Sequence, residues 1–272
     1  MHHLGLTDSA FSRWAALLES RIGVQVTPAW EDHVRRILDR QLQQRPLDSS
    51  PRQRSVWWGE LVDRLLINET AFFRHRPSFE YLSRILKQKR QRLLPQQGLR
   101  LWSAGCASGE EACSLAITAS LALGESGEYE VLGTDLSTPA LARARSARYC
   151  AMALDSLSSQ EKAFFEPCDD AVFRPKSAMR SRIHYLRHNL VASHWPRDIG
   201  AFDVIFCQHL LAYFEQRRRT EIVARLCRHL KPGGSLVLGP GEYLACPIPG
   251  LRRDSQRDVL AFVRPSPGEM EH

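Results

Sequence analysis

The stretch that decides the fold reads LWSAGCASGEE and covers residues 101–111. It joins a short apolar run, typical of a buried strand, to a loop of small residues that contains Gly105 and Gly109. Two acidic residues, Glu110 and Glu111, then open a helical pattern. This order indicates the first strand–loop–helix turn of a doubly wound α/β sheet, where a nucleotide-like ligand approaches the backbone.

The same loop favours a cationic ligand. Its glycines are spaced GxxxG, unlike the GxGxxG of dinucleotide-binding proteins. Glu110 and Glu111 would repel a pyrophosphate but not a sulfonium cation. We therefore predict S-adenosylmethionine as the ligand, with Gly105 beside it. Asp135 follows the second predicted strand, where a carboxylate holds ribose hydroxyls in such folds.

Strands and helices alternate along the chain from residue 99 onward. The predicted strands cover residues 99–104, 129–133, 182–186, 202–207, 235–239 and 259–263. Residues 150–181 interrupt the alternation with a helix and an irregular or β insertion. This pattern predicts an α/β protein with a parallel sheet that helices cover on both faces.

The first third of the chain is predicted as four helices, with a loop at residues 45–55 that is rich in Pro, Ser and Arg. Residues 1–98 contain 16 Lys and Arg but only 10 Asp and Glu, within a whole-chain net charge of +7. Arg35, Arg36 and Arg40 lie mostly off the apolar face of the second helix. This excess favours an acidic partner, whether nucleic acid, anionic lipid or protein, unless it merely solvates helix surfaces.

Composition also bears on location and metal binding. No run approaches the roughly 20 apolar residues that span a bilayer, and the N-terminus lacks a basic-then-apolar signal. We therefore predict a cytoplasmic protein without membrane insertion. The seven cysteines form no CxxC pair, which favours free thiols. His184, His188 and His194 lack partners at zinc-like spacing, so no metal site is predicted.

Six short segments then occur in a characteristic order. They read NETAFFR at 68–74, WSAGCASGEE at 102–111, GTDLS at 133–137, FDVIFC at 202–207, LAYF at 211–214 and LKPGG at 230–234. On these segments the chain resembles the chemotaxis receptor methyltransferases, the CheR family, over nearly its whole length.

The resemblance implies a fold and an activity. The expected domains are N-terminal helices at residues 1–95 and a Rossmann-like class I methyltransferase domain at 96–264, with a small inserted β subdomain near 165–188 and a tail at 265–272. The implied reaction transfers a methyl group from S-adenosylmethionine to glutamate side chains in the cytoplasmic helices of chemoreceptors. Its products are glutamate methyl esters and S-adenosylhomocysteine. The helix with Arg35, Arg36 and Arg40 is expected to face these receptor helices, and the protein is expected to be a monomer.

The resemblance also implies site residues. Family cofactor positions fall on Asn68, Thr70, Arg74, Glu111, Asp135, Asn189, Leu190, Gln208 and His209, beside the loop residue Gly105. Arg74 and Tyr213 fall on positions proposed to act close to the methyl transfer.

The chain departs from the family pattern at three places. Gln208-His209 replaces Arg-Asn, Ala112-Cys113 replaces Pro-Tyr, and Gly239-Pro240-Gly241-Glu242 replaces Gly-His-Ser-Glu. The first change brings a titratable group to the cofactor site. With a reference pKa near 6.5, His209 is expected to weaken S-adenosylmethionine binding as the pH falls through about 6.5.

Two other functions stay open. The altered Gln208-His209 pair is compatible with a non-catalytic module that binds the cofactor or the receptor. The basic first third is compatible with a nucleic-acid methyltransferase. Amine methylation of that kind often relies on an Asn/Asp-Pro-Pro-aromatic segment, which this sequence lacks, so nucleic acid is not the expected partner.

Overall fold

The computed structural model describes residues 6–44, 51–66, 69–92, 97–124, 127–244 and 247–266. Predictions that fall on Asn68, on residues 45–50 of the proposed loop and on residues 267–272 of the proposed tail lie outside these ranges.

Four helices form the first third, as predicted. They are α1 (Asp8–Ile22), α2 (Pro28–Gln44), α3 (Pro51–Leu65) and α4 (Arg76–Arg90). Thr7 caps α1 through its side chain, and Gly23 ends it with φ at 75°. The loop prediction for 51–55 was wrong, because these residues form the first turn of α3, with Pro51 at a position where proline is tolerated.

A seven-stranded sheet forms the centre of the rest of the protein. Its strands are β1 (Leu99–Ala104), β2 (Tyr129–Asp135), β6 (Ile183–Arg187), β7 (Phe202–Cys207), β8 (Leu230–Leu238), β9 (Arg252–Arg253) and β10 (Leu260–Val263). Their order is β6-β2-β1-β7-β8-β10-β9. The pairs from β6 to β8 are parallel, whereas β10 runs antiparallel to both β8 and β9. The prediction of a parallel sheet therefore holds for five strands and was wrong for β9 and β10.

Three helices connect the strands of this sheet, namely α5 (Glu110–Leu123), α6 (Thr138–Ser146) and α9 (Gln216–Arg228). Helix α6 ends at Ser146, and Tyr149 already belongs to a second sheet. Strand β8 begins at Leu230, earlier than the predicted 235–239, because it includes the Lys-Pro-Gly-Gly segment, with a register shift against β7.

The second sheet has three antiparallel strands, β3 (Tyr149–Cys150), β4 (Phe165–Asp169) and β5 (Val172–Pro175), in the order β3-β5-β4. The short helices α7 (Ser159–Lys162) and α8 (Ser177–Arg180) flank it. The insertion was expected near 165–188, but residues 183–187 pair with β2 in the main sheet. Its strands therefore lie between residues 149 and 175, while the division of the chain into domains stays a prediction.

Each face of the main sheet has its own apolar core, because successive side chains of a strand point to opposite faces. Leu101 packs with α4, α5 and the small sheet, whereas the neighbouring Trp102 packs with α1, α2, α3 and α9. Leu18 and Leu38, from α1 and α2, share this second core. The N-terminal helices thus lie against the sheet that presents the glycine loop. Within the described ranges, no helix is long and apolar enough to cross a membrane.

Candidate active site

A pocket lies at the carboxyl ends of β1, β2, β6 and β7, the edge at which open α/β sheets bind ligands. All ten predicted site residues that the structure describes line it: Thr70, Arg74, Gly105, Glu111, Asp135, Asn189, Leu190, Gln208, His209 and Tyr213. The eleventh, Asn68, lies outside the described ranges. Residues far apart in the sequence therefore meet in one cavity.

The glycine loop and Asp135 form one hydrogen-bonded unit. Asp135 accepts from the backbone N of Ala107 at 2.9 Å and from that of Ser137 at 2.8 Å. Burial raises the pKa of the Asp135 carboxyl. Gly105 has φ at 90°, and a Cβ there would lie 2.8 Å from Leu210 Cδ2. The loop thus keeps its backbone close to the pocket, and Asp135 holds it there.

Glu111 gives the pocket a second carboxylate. It lies in the first turn of α5 and accepts a hydrogen bond from Ser103 Oγ at 2.6 Å. Burial raises the pKa of Glu111 to about 7, the Ser103 hydrogen bond opposes this, and the neighbouring Glu242 carboxylate adds to it. A cation in the pocket would relieve the cost of keeping these carboxylates ionised.

Arg74 is the cation of the pocket. It is exposed, and its Nη1 donates to the carbonyl of Glu69 at 2.8 Å. The preceding Phe73 has φ at 50°, and its backbone N donates to Ser114 Oγ at 3.0 Å, which anchors the turn to α5. Among the described lining residues Arg74 is the only Lys or Arg.

Tyr213 lines the same pocket, from a one-turn helix that precedes α9. Its ring is half-buried, with its centroid 6.3 Å from that of Trp30 on α2. Its carbonyl accepts from the backbone N of Gln25 at 2.9 Å. Burial raises the pKa of Tyr213, and the charge of Arg74 opposes this. The N-terminal helices therefore help to build the wall that carries Tyr213.

Gln208 and His209 differ in what they can offer a ligand. Gln208 is buried, and its Nε2 donates to Ser78 Oγ at 2.9 Å and to the carbonyl of Leu238 at 3.1 Å. Its amide nitrogen is thus committed to the fold. His209 has φ at 57°, and its Nε2 is buried with no hydrogen-bond partner in the described structure. Burial, aided by the charges of Arg74 and His75, lowers the pKa of His209.

Asn189 and Leu190 join the pocket to α1. Asn189 Nδ2 donates to the carbonyl of Arg21 at 3.1 Å, and its Oδ1 accepts from the backbone N of Val191 at 3.1 Å. Leu190 is buried and supplies an apolar part of the wall. Asn189 thus fixes a junction between α1 and the loop after β6.

Sequence reasoning missed several parts of the wall. Ile22, Val24 and Trp30 line the pocket from the N-terminal helices and their connection, and Leu136 and Leu210 extend its apolar surface. It also gave no role to Glu242, whose buried carboxylate accepts from the backbone N of His209 and of Leu211. The Gly-Pro-Gly-Glu departure was the one sequence signal for Glu242.

The pocket suits S-adenosylmethionine. Carboxylates of Glu111 and Asp135 match a ligand with an ammonium, a sulfonium and ribose hydroxyls. Apolar walls from Leu136, Leu190 and Leu210 match its adenine and thioether parts. The buried, unpartnered Nε2 of His209 marks a polar atom that a ligand can satisfy. The fold and this site define a methyltransferase that uses S-adenosylmethionine.

The comparisons with known proteins agree. The model of the CheR methyltransferase, SAM-binding domain family matches residues 68–253. The chemotaxis protein methyltransferase Cher2 of Pseudomonas putida is 34% identical over 68% of this chain and 69% of its own length. The chemotaxis protein methyltransferase of Salmonella typhimurium is 30% identical over 88% of this chain and 85% of its own. The chain belongs to the CheR methyltransferase family, and it methylates with S-adenosylmethionine in chemotaxis.

Among solved structures, the magnesium protoporphyrin IX methyltransferase of Synechocystis aligns over 93% of this chain and 96% of its own, with 16% identity and a TM-score of 0.39. This resemblance is too loose to add to the assignment.

The raised pKa of Glu111 predicts pH-dependent cofactor binding. Below pH 7 the carboxyl takes up a proton and loses its attraction for the ammonium that both forms of the cofactor carry, so affinity is highest above pH 7 and falls as the pH drops through about 7. We expect S-adenosylhomocysteine, whose ammonium is also cationic, to displace about half a proton at pH 7. Calorimetry in buffers of different ionisation enthalpy measures this number. Glu111→Gln should abolish this proton release. An equal release in that variant would show that Glu111 is not the group that titrates.

The lowered pKa of His209 corrects the expected midpoint of about 6.5. Protonated His209 repels the sulfonium of S-adenosylmethionine but not the neutral sulfur of S-adenosylhomocysteine. Because the pKa lies below its usual value, the affinity ratio of the two ligands should stay constant from pH 8 to about 6.5 and fall only in more acidic solution. Titrations of both ligands from pH 5 to 8 measure the ratio. His209→Asn should make the affinity ratio independent of pH. A wild-type ratio that falls already at pH 7 would contradict the lowered pKa of His209.

Proposed function

We propose that this protein methylates glutamate side chains of chemoreceptors, giving glutamate methyl esters and S-adenosylhomocysteine. The observation that carries the proposal is the placement of Arg74, an exposed cation in a pocket whose other charged side chains are carboxylates. The carboxylates suit the cationic cofactor, whereas Arg74 suits an anionic methyl acceptor.

Methyl transfer to a glutamate carboxylate does not require the protein to remove a proton from the acceptor. A glutamate side chain has a reference pKa near 4.3, so the acceptor is already an anion at neutral pH and needs no general base. The cofactor supplies a methyl group on a positively charged sulfur. Arg74 orients the acceptor carboxylate, and Tyr213, which lines the same pocket, holds the reacting groups in line. The apolar lining residues, among them Trp30, favour removal of water from the carboxylate.

In this proposal Asn68, Thr70, Gly105, Asn189 and Leu190 contact the cofactor together with Glu111, Asp135, Gln208 and His209. What supports it is their common position around one pocket, apart from Asn68, and their match to family motifs. For Gln208 the contact must come from its carbonyl or backbone, because its amide nitrogen is already used.

The proposed partners are the cytoplasmic helices of chemoreceptors, and the protein acts in the cytoplasm as a monomer. The names of the relatives, chemotaxis protein methyltransferases, support a role in chemotaxis. On α2, Arg36 and Arg40 are exposed, as a docking surface requires. Arg35 is engaged internally, because it forms ion pairs with Asp8 and Glu31 and lies over the Phe11 ring. The proposed contact is therefore limited to Arg36 and Arg40.

Charge reversal tests this surface. Arg36→Glu with Arg40→Glu should lower receptor methylation by about fivefold at low salt, because exposed charges mainly steer association and are screened. Affinity for S-adenosylhomocysteine should stay unchanged. Arg252→Glu with Arg253→Glu is the matched control, since these arginines are also exposed but lie on edge strand β9. Equal rates for both double variants at low salt would exclude α2 as the docking surface.

The function itself is tested with receptor fragments. The protein and S-adenosylmethionine are incubated with the cytoplasmic fragment of each candidate receptor, and the modified residues are mapped by mass spectrometry. A methyl group on glutamate, lost when that glutamate is replaced by alanine, is the expected result. Cofactor binding without any methyl transfer would indicate a non-catalytic module. Methylated nucleic acid in a parallel reaction would support the alternative that the basic first third suggests.

A further inference from the structure

Residues 208–214, here called the 208–214 loop, connect β7 to α9 and form one wall of the pocket. Five of them line it: Gln208, His209, Leu210, Tyr213 and Phe214. Their backbone is irregular, with φ at 57° for His209 and a single helical turn at Leu211–Tyr213. Backbone amides and carbonyls outside regular structure need other hydrogen-bond partners when they are buried.

Glu242 supplies partners for the amides at the start of this loop. Its Oε2 accepts from the backbone N of His209 at 3.1 Å, and its Oε1 accepts from that of Leu211 at 2.6 Å. Oε2 also accepts from the backbone N of Gly239 at 2.7 Å. The residue is only 3% exposed, so these charge-assisted bonds are shielded from water.

Gly239 makes room for this carboxylate. A Cβ at position 239 would lie 2.6 Å from Glu242 Oε2 and 2.7 Å from the backbone N of His209, distances that real Cβ atoms do not tolerate. The first and last residues of the Gly239-Pro240-Gly241-Glu242 segment therefore act together. Gly239 leaves the space, and the carboxylate of Glu242 occupies it.

Arg219 supplies partners for the carbonyls at the other end of the loop. From the first turns of α9, its Nε donates to the carbonyl of Phe214 at 2.7 Å and its Nη2 to that of Ala212 at 3.3 Å. Thus an anion holds the amides and a cation holds the carbonyls, with Tyr213 between them. Neither Glu242 nor Arg219 lines the pocket itself.

We infer that Glu242 and Arg219 are positioning residues, which hold the 208–214 loop so that Tyr213 faces the reacting groups. Arg219 shares α9 with Arg217 and Arg218, which both pair with Glu221. Arg217 is 84% exposed and its Nε donates to Glu221 on its own helix, so it serves as a matched control. The measurement of kcat uses receptor methylation and therefore rests on the proposed function, whereas hydrogen exchange does not.

Three variants test it: Glu242→Gln, Arg219→Gln and the control Arg217→Gln. Glutamine keeps the size of Glu242 but turns an NH2 toward a backbone N–H, which breaks part of the bonding. Hydrogen exchange of the 209–214 amides should accelerate about tenfold in the first two variants and stay unchanged in the control. Receptor-methylation kcat should fall about tenfold, while the Kd for S-adenosylhomocysteine changes less than about threefold.

A double-mutant cycle shows whether Glu242 acts through Tyr213. In a Tyr213→Phe background, Glu242→Gln should lower kcat much less than it does in the wild type. Full additivity, a Kd that rises as much as kcat falls, or the same losses in Arg217→Gln would each overturn the inference. If Glu242→Gln fails to fold, Arg219→Gln decides by the same criteria. If the wild type methylates no glutamate, the proposed function fails, and unchanged amide exchange in the variants would separately overturn the loop assignment.

Discussion

Replacement of Arg74 with alanine is expected to lower the rate of receptor methylation about 100-fold or more. In our account the guanidinium orients the acceptor carboxylate, and loss of alignment at a reacting centre costs factors of this size. The melting temperature of the apo protein should move little, because Arg74 is exposed and its side chain donates to the Glu69 carbonyl from the surface. Initial rates with a receptor fragment and a thermal melt measure the two effects.

Arg74→Lys is the control for charge alone. It keeps the positive charge but not the planar fork that matches a carboxylate, so we expect it to restore only a small part of the rate. A large loss of apo stability in Arg74→Ala would indicate that Arg74 serves the fold. Full activity of either variant would remove it from the reaction.

Replacement of Asp135 with alanine is expected to weaken S-adenosylhomocysteine binding tenfold or more. If Asp135 holds the ribose as proposed, the charge-assisted hydrogen bonds lost are worth roughly 1.5–3 kcal/mol. The structure adds a second effect, because Asp135 also accepts from Ala107 and Ser137 and thereby shapes the glycine loop. The variant should therefore also melt at a lower temperature. Calorimetric titration and a melt measure both quantities.

Asp63→Ala is the matched control for Asp135. Asp63 accepts from the backbone N of Thr138 at 3.1 Å, three residues beyond Asp135, but does not line the pocket. We expect a small loss of stability and an unchanged Kd. If Asp63→Ala weakened binding as much as Asp135→Ala, the effect would belong to the local backbone and not to a ribose contact.

The parts of the site that lie in one strand–loop–helix turn could be predicted from the sequence. Gly105 follows β1 directly, Glu111 lies in the first turn of the next helix and Asp135 ends β2, so their positions come from local pattern and from the way parallel strands end at one edge. Arg74 and Tyr213 have no such local signal, and only family motifs indicated them. The structure then places both in the same pocket.

Long-range contacts could not be predicted. Trp30 and Val24 line the pocket because α1–α3 pack on the sheet. The apolar periodicity of these helices predicts a buried face but not the surface against which that face packs. Strand β3 has only two residues, and the partner of residues 183–187 is β2. Helical spacing predicted Arg35 on the outer face of α2, yet its guanidinium forms an ion pair with Asp8 of α1. Each of these depends on a neighbour that is distant in sequence.

Alkali distinguishes a glutamate methyl ester on the receptor from other methylated products. The protein is incubated with methyl-labelled S-adenosylmethionine and a receptor cytoplasmic fragment, and the isolated fragment is then treated with mild alkali. A glutamate methyl ester hydrolyses under these conditions, so the account predicts that the label leaves the fragment as methanol. With Arg74→Ala the label should be incorporated at least about 100-fold more slowly. Label that stays on the fragment after alkali, as a methylated amine would, contradicts the account.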